Sequence, residues 1–462
     1  MIKAIKKKKM PKDRLDKKGA DILNLFQELR EVGAEEDKLF RKVKSLYETL
    51  KDHEKEALFR AIIEKIEVSK EEVVRLSKEL STLDTDDPGW SKSLSELRSG
   101  SYSPRLDIFR KISRTPGGLK FLLDFRGDLL SIQRFSETNF KPLDADIVLL
   151  FELRFQDGFL YLEEITPDSP YRQIELIKNS DLVHPMSSIE QMGQRLGKDR
   201  RCFALYHRLI PYEPIIFIEV VLTTRIVRNI SEIIDEDLNQ TGDEDANTAI
   251  FYSINNTQNG LAGLGLGKML IGQVVDCLKK ENELIKTFAT LSPLPGFWGN
   301  YFRPVMEGKD APFALKQEDV ITFFSRREIA RIMAKAGVQG GEPEQFNKAL
   351  LSILSDEEWV KNEELSKTLL NPLVKIAYYY ISKEKNPQNK PLNPVANFHL
   401  ENGATVSQRN VNFLANPSGR GLKESCGIMV NYIYTSDWLS QIRRSFRWFD
   451  KMEIKGIFSR RR

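Results

Sequence analysis

The spacing of apolar residues changes once along this chain, near Phe159, and that change limits the fold more than any other feature. Ahead of it the spacing is helical. In "EDKLFRKVKSLYETL", Leu39, Val43, Leu46 and Leu50 recur at intervals of four, three and four, which puts them on one stripe with Lys and Glu on the other faces. "EALFRAIIEKI" and "VSKEEVVRLSKEL" continue the pattern, and Ser69 ahead of Glu71 and Glu72 predicts an N-cap. "DTDDPGW" interrupts the run; "GLKFLLDFRGDLLSIQRF" resumes it, weakened by Gly127. Beyond Phe159, "GFLYLEEIT" alternates until Pro167 and Pro170 end it. Five β-like runs follow, "RCFALYHRLI", "EPIIFIEVVLTT", "NTAIFYSINNT", "IKTFATLS" and "NPVANFHLENG", and then a sixth, "CGIMVNYIYT". The first two are joined through "PYEP", which predicts a hairpin. A helical insertion is expected over residues 317–385. The order predicts an α+β chain: an all-α domain over residues 1–157, then a mixed, largely antiparallel sheet domain over 158–462.

Composition excludes several classes. A length of 462 residues implies more than one core, and the apolar share of 41% is that of a soluble globular chain. The net charge of +4 is too small to indicate nucleic acid, and no apolar run reaches the ~18 residues of a membrane span. The lysine run in "MIKAIKKKKM" reads as a solvated terminus without the apolar stretch of a secretory signal, and the final "FSRRR" is not a peroxisomal Ser-Lys-Leu address. Cys202, Cys277 and Cys426 are isolated and odd in number; they suggest no metal and no disulfide framework, and a reducing cytoplasm is expected.

The stretch "INNTQNGLAGLGLGKMLIGQVVDCLKK" concentrates the chemistry. A strand enters it, an amphipathic helix leaves it, and Gly260, Gly263, Gly265 and Gly267 lie between. Glycines permit close backbone approach, and the first N–H groups of a helix lack intrahelical partners, so the segment suits either a pyrophosphate or a tight packing turn. No Gly-Lys-Ser/Thr ends it, as a P-loop would require, and no acidic residue follows on a second parallel strand, as a dinucleotide site would. If the segment does hold a diphosphate carrier, coenzyme A is a natural candidate.

In "FATLSPLPGF" a strand-like run stops at Ser292, and Pro293 and Pro295 have no N–H with which to extend a ladder. The hydroxyl is either a strand-end cap or a group held rigid for a site. His399 lies in "VANFHLENG", where alternation predicts Asn397 and His399 on one strand face and Phe398 and Leu400 on the other. An imidazole there is either a packed residue or a proton carrier working near neutrality. His53 reads as solvated, His184 as a loop contact and His207 as strand-borne.

With these residues in place, the sequence resembles the malonyl-CoA decarboxylases. The resemblance is carried by "HPMSSIEQMGQRLGKDRRCFALYHRLIPYEPIIFIEVVLT", "AIFYSINNTQNGLAGLGLGKMLI", "LSPLPGF" and "NPVANFHLENGATVSQRNVNFLANPSGRGLKESCGIMVNYIYT"; "LDFRGDLL" extends it forward to Leu123. It implies a helical N-terminal domain that self-associates and a catalytic domain like the acyl-CoA N-acyltransferases (GNAT). It also implies malonyl-CoA as substrate, acetyl-CoA and CO₂ as products, no cofactor, and a place in fatty acid metabolism. In such a fold the CoA pyrophosphate rests on the loop after the fourth strand, here Ala262, Gly263, Leu264, Gly265, Leu266, Gly267 and Lys268. The acyl chain lies where the fourth and fifth strands splay, with Ser292 at the gap. The resemblance makes Ser292 the residue that aligns the carboxylate and His399 the donor of a proton to the enolate carbon. Asn397, Arg420 and Tyr432 are expected in supporting or CoA contacts. One departure stands out: the general acyltransferase pattern has Gln or Arg three residues before its first loop glycine, and Gly260 occupies that place. It counts against the alternative of a CoA-dependent GNAT-type acyltransferase. A CoA-sensing scaffold is a third class, but it would need neither Ser292 nor His399.

Overall fold

The computed structural model describes residues 15–31, 35–234, 245–309, 312–340 and 342–434. The lysine run at the start and the final arginines lie outside the described residues. Contacts divide the chain into two compact units. One comprises the helical region up to Tyr161 with Leu205–Ile215 and Asn256–Gly265; the other comprises Leu162–Ala204, Ile216–Asn255 and the chain from Leu266 onward.

The first region folds as its periodicity requires. Helices run over Lys17–Glu31 (α1), Glu36–Tyr47 (α2), Asp52–Lys65 (α3), Lys70–Ser81 (α4), Trp90–Gly100 (α5), Pro104–Arg114 (α6), Gly118–Gln133 (α7) and Lys141–Arg154 (α8). Ser69 caps α4, its hydroxyl accepting the Glu72 N–H at 3.2 Å. Leu39 and Val43 are buried and Leu46 half-buried; Leu50 is buried just beyond the end of α2. Edge-to-face rings fill the centre: Tyr47 on Phe121 at 5.3 Å and Phe59 on Phe125 at 4.9 Å.

Strands follow at Leu160–Ile165 (β1), Arg200–His207 (β2), Ile210–Thr223 (β3), Thr248–Asn256 (β4), Thr287–Thr290 (β5), Ser292–Pro293 (β6), Ala404–Thr405 (β7), Val411–Asn412 (β8), Met429–Val430 (β9) and Ile433–Tyr434 (β10). They form a seven-stranded sheet in the order β1-β2-β3-β4-β5-β10-β7 and a three-stranded sheet in the order β6-β9-β8. β4 and β5 pair parallel, Thr248 opposite Thr287 through Phe251 opposite Thr290. The crossover between them is the helix Leu266–Glu281 (α9). β10 is antiparallel to β5 and β7, and β9 to β6 and β8. The insertion over 317–385 is helical as expected, with helices at Arg326–Ala336 (α10), Pro343–Ser355 (α11) and Glu363–Ser382 (α12). Among the described residues no helix is long and apolar enough to cross a membrane.

Four expectations change. First, the β2–β3 connection is residues 208–209, not "PYEP": the Leu209 N–H closes it on His207 Nδ1 at 3.0 Å, and "PYEP" lies inside β3 with Tyr212 at φ 67°. Second, β5 stops at Thr290, and Ser292 opens a strand of the other sheet. There it pairs with Val430, and Pro293 is harmless because β6 is an edge strand. Third, "CGIMVNYIYT" is split at Asn431 and Tyr432 into one strand for each sheet. Fourth, "NPVANFHLENG" is no strand: Pro394–Glu401 is a helix (α13). Asn393 caps it, its side-chain oxygen accepting the N–H groups of Val395 (3.1 Å) and Ala396 (2.9 Å). Pro394 occupies the first turn, where its fixed φ suits a helix and its missing N–H costs nothing.

Candidate active site

Ser292 and His399, far apart in the chain, meet in the second unit. Ser292 Oγ lies 2.9 Å from His399 Nε2 and donates to Thr290 Oγ1 at 3.0 Å. Thr290 Oγ1 also accepts the Tyr432 N–H at 3.1 Å. The other imidazole nitrogen, Nδ1, is 2.9 Å from the Tyr434 hydroxyl. One proton arrangement satisfies the chain: Tyr434 O–H donates to Nδ1, Nε2–H donates to Ser292, and Ser292 O–H donates to Thr290. The ring is fixed by stacking on Tyr432 (4.6 Å between centroids, 24° between planes) and by Phe398 edge-on at 5.0 Å.

Both members of the pair are buried, His399 at 4% exposure and Ser292 at 7%. Burial pushes the His399 imidazole down to about 3, so the ring is neutral at physiological pH. Tyr432 is fully buried, and its hydroxyl has no hydrogen-bond partner among the described residues. Leaving such a group unpaired costs about 1–3 kcal/mol, which suits a donor reserved for a ligand.

Asn393, which the sequence reading overlooked, ties the two halves together. While its oxygen caps α13, its Nδ2 donates to the Pro295 carbonyl at 3.0 Å. The turn following Ser292 and the helix carrying His399 are thereby held by one fully buried amide. The Asn-Pro pair, a cap followed by a first-turn proline, was the signal for it.

The glycine segment divides by role. Ala262, Gly263 and Gly265 are exposed, Leu264 is half-buried, and Leu266 and Gly267 are buried where α9 begins, with Lys268 exposed. Gly263 (φ 79°) and Gly265 (φ 69°) take the left-handed conformation, and a Cβ on either would meet nothing within 4 Å. Gly260 and Gly267 are packing glycines. A Cβ at Gly260 would lie 2.0 Å from the Leu123 carbonyl oxygen, so the Gln or Arg of the acyltransferase pattern has no room there. A Cβ at Gly267 would lie 2.3 Å from the Phe398 ring.

Of two family models that match, the one described as the malonyl-CoA decarboxylase C-terminal domain covers residues 158–452, more than half the chain, and the N-terminal domain covers 67–155. The chain belongs to the malonyl-CoA decarboxylase family. It is 36% identical over 333 residues to the "Malonyl-CoA decarboxylase, mitochondrial" of Anser anser anser, covering 71% of this chain and 63% of that one. It therefore spans less than two thirds of the length of that relative. The crystal structure of malonyl-CoA decarboxylase from Agrobacterium vitis matches with a TM-score of 0.74 at 28% identity, over 92% of this chain and 95% of that one. The structure from Rhodopseudomonas palustris matches equally, with a TM-score of 0.74 at 28% identity over 94% and 91%.

Within this malonyl-CoA decarboxylase family chain the remaining expected residues separate. Tyr432 joins the pair, as described. Asn397 does not: two positions before His399 on a helix it faces away, and its amide donates to Glu401 at 3.2 Å. Its expected place beside His399 assumed a strand. Arg420 pairs with Glu424 at 2.9 Å and donates to the Leu182 carbonyl. It lines a cavity of about 850 Å³ that also involves His184 and Arg195, and neither Ser292 nor His399 lines that cavity. His184 is held down to about 4 by burial. Both ring nitrogens of His207 are bonded, Nε2 to the Arg154 carbonyl at 2.9 Å and Nδ1 to the Leu209 N–H. His53 is exposed on α3.

Proposed function

We propose that the chain decarboxylates malonyl-CoA to acetyl-CoA and CO₂, with Ser292 and His399 as the catalytic pair. The supporting observation is the buried 2.9 Å contact between them, in a chain of this family. Breaking the bond to the carboxylate leaves an electron pair on the α-carbon. The thioester carbonyl accepts it as an enolate, so no metal, biotin or pyridoxal is called for. The protein must hold the carboxylate out of the thioester plane, stabilise the oxyanion, and supply one proton to carbon. Ser292, stiffened by the proline turn, aligns the carboxylate. Tyr432, with its spare hydroxyl, serves the oxyanion. His399 starts neutral; a carboxylate arriving in the same dry site opposes the burial effect and favours the imidazolium. His399 then takes up a proton along with the substrate and delivers it to carbon. Loop residues Ala262 to Lys268 bind the CoA pyrophosphate, with Gly263 and Gly265 supplying the open backbone.

The same reading assigns residues 1–157 to a helical domain that forms a homo-oligomer and 158–462 to a GNAT-like catalytic domain. It places the protein in the cytoplasm, in fatty acid metabolism; fractionation tests the compartment, since the goose relative is named mitochondrial. The deciding experiment incubates the purified protein with malonyl-CoA alone and follows CO₂ and acetyl-CoA. Both must appear in equal amounts and persist after exhaustive chelation. Activity restored only by a divalent ion would defeat the mechanism, and no acetyl-CoA at all would defeat the function.

A further inference from the structure

The motif "LDFRGDLL" lies on α7, in the helical region, yet three of its residues touch the glycine segment. Within the first unit, Asn256–Gly265 packs with α7. The Leu123 carbonyl abuts Gly260, and a Cβ at Gly127 would be 3.4 Å from the Gly260 N. Between them Arg126, only 4% exposed, sends one Nη1 to two carbonyls, Gly260 at 2.6 Å and Ala262 at 2.8 Å. Its Nε donates to Asp144 at 2.7 Å, which fixes the guanidinium from behind.

A trans peptide is planar, with C=O and N–H pointing in opposite directions. Turning the Ala262 carbonyl onto Arg126 therefore turns the Gly263 N–H away from it, and a Cβ on Gly263 would meet no atom within 4 Å. The two preceding N–H groups are used within the segment, Leu261 to Gln258 O and Ala262 to Asn259 O. Arg126 thus sets the direction of an amide that the glycines alone leave free to rotate.

We infer that Arg126 is the positioning residue of the CoA site: a buried guanidinium in the helical region that locks the loop with its Gly263 N–H turned toward the pyrophosphate. The inference rests on the reading of Ala262 to Lys268 as the pyrophosphate loop. Lysine cannot reproduce a fork that holds two carbonyls and a carboxylate at once. Losing one charge-assisted bond from the loop corresponds to a rise of about tenfold in KM.

The test compares Arg126→Lys with the wild type on two thioesters, malonyl-CoA and malonyl-pantetheine, which lacks the pyrophosphate. The expected result is a KM for malonyl-CoA raised about tenfold with kcat changed by less than about twofold. Malonyl-pantetheine turnover should be unchanged, and amide exchange over residues 261–265 should be faster without ligand. Asp144→Asn, which keeps Arg126 but loosens it, should show the same split at smaller size and serves if the first variant does not fold. Equal losses on both thioesters would overturn the inference, and so would unchanged exchange with unchanged KM. A wild type indifferent to the pyrophosphate would instead remove the loop reading itself, and the inference with it.

Discussion

Replacing His399 by Gln should abolish proton delivery while keeping the site intact. Gln reaches about as far as Nε2 and can donate to Ser292, but it carries no proton that it can give up near neutral pH. It also fills much of the space between the Tyr432 and Phe398 rings, which contact the imidazole at 4.6 and 5.0 Å. Loss of a general acid costs about 10²–10⁴ in rate, or roughly 2.7–5.4 kcal/mol of barrier. Ser292→Ala removes the hydroxyl 2.9 Å from that nitrogen and should also lower kcat. It should in addition weaken the preference for malonyl-CoA over acetyl-CoA in binding, since only the former has the carboxylate. Because the two groups act as one hydrogen-bonded unit, the double variant should be little slower than the worse single one. The measurement is kcat for all four proteins, from CO₂ release, with calorimetric binding of both CoA esters. Fully additive losses, near-normal turnover of His399→Gln, or equal loss of affinity for both esters would refute the pair as a catalytic unit.

Other expectations follow from the same geometry. Gly263→Asn, which tolerates the φ of 79° but fills the open space above the loop, should raise KM more than it lowers kcat; unchanged KM would remove the loop from the site. Gly267→Ala should instead lower kcat, because its Cβ would force aside the Phe398 ring next to His399; a pure KM effect would refute that coupling. Asn393→Asp keeps the helix cap but sets an acceptor against the Pro295 carbonyl, so kcat should fall at least about tenfold with CoA-ester affinity retained. For stability, His399 is neutral when folded down to about 3 but titrates near 6.5 when unfolded, so its contribution is complete above pH 6.5 and lost on acidification. Between pH 7.5 and 5.5 the wild type should lose about 1.4 kcal/mol more than His399→Gln in denaturant titrations; parallel losses would contradict a buried neutral ring.

What the sequence made legible depended on how far apart the interacting residues lie. Local patterns carried through: the stripe of Leu39 and Val43, the Ser69 cap and the helical insertion are all set by neighbours within a turn or two. His399 stood out by its residue type but was expected on the wrong kind of element. Alternation over "ANFHL" fits a strand and a short helix alike, and the Asn393 cap with Pro394 decides between them. In the glycine segment the spacing allowed either a phosphate site or a packing turn. It did not show that Gly260 and Gly267 are there for packing, because the atoms they accommodate, the Leu123 carbonyl and the Phe398 ring, come from remote segments. Arg126 was unreadable for the same reason: a basic residue on a helix resembles a solvated one until the carbonyls above it are known.

The break between β5 and β6 is what creates the pair. Alternate residues along a regular strand are about 6.6 Å apart, too far for two short hydroxyl side chains to meet. Thr290 and Ser292 nonetheless lie with their oxygens 3.0 Å apart, so the chain must leave regular strand geometry at Leu291, just past the end of β5. The Leu291 N–H still goes to the Phe251 carbonyl of β4, the last rung of the large sheet on that side, while Ser292 already pairs with Val430 of the small one. The opposite strand breaks at the same level, between Val430 and Ile433. His399 sits over this seam with one nitrogen on each sheet, Nε2 toward Ser292 of β6 and Nδ1 toward Tyr434 of β10. The prolines after Ser292 therefore do more than end a strand. With Pro293 unable to donate to a further neighbour, β6 stays two residues long at an edge, and its first residue, Ser292, meets both Thr290 and the imidazole with its hydroxyl at the seam.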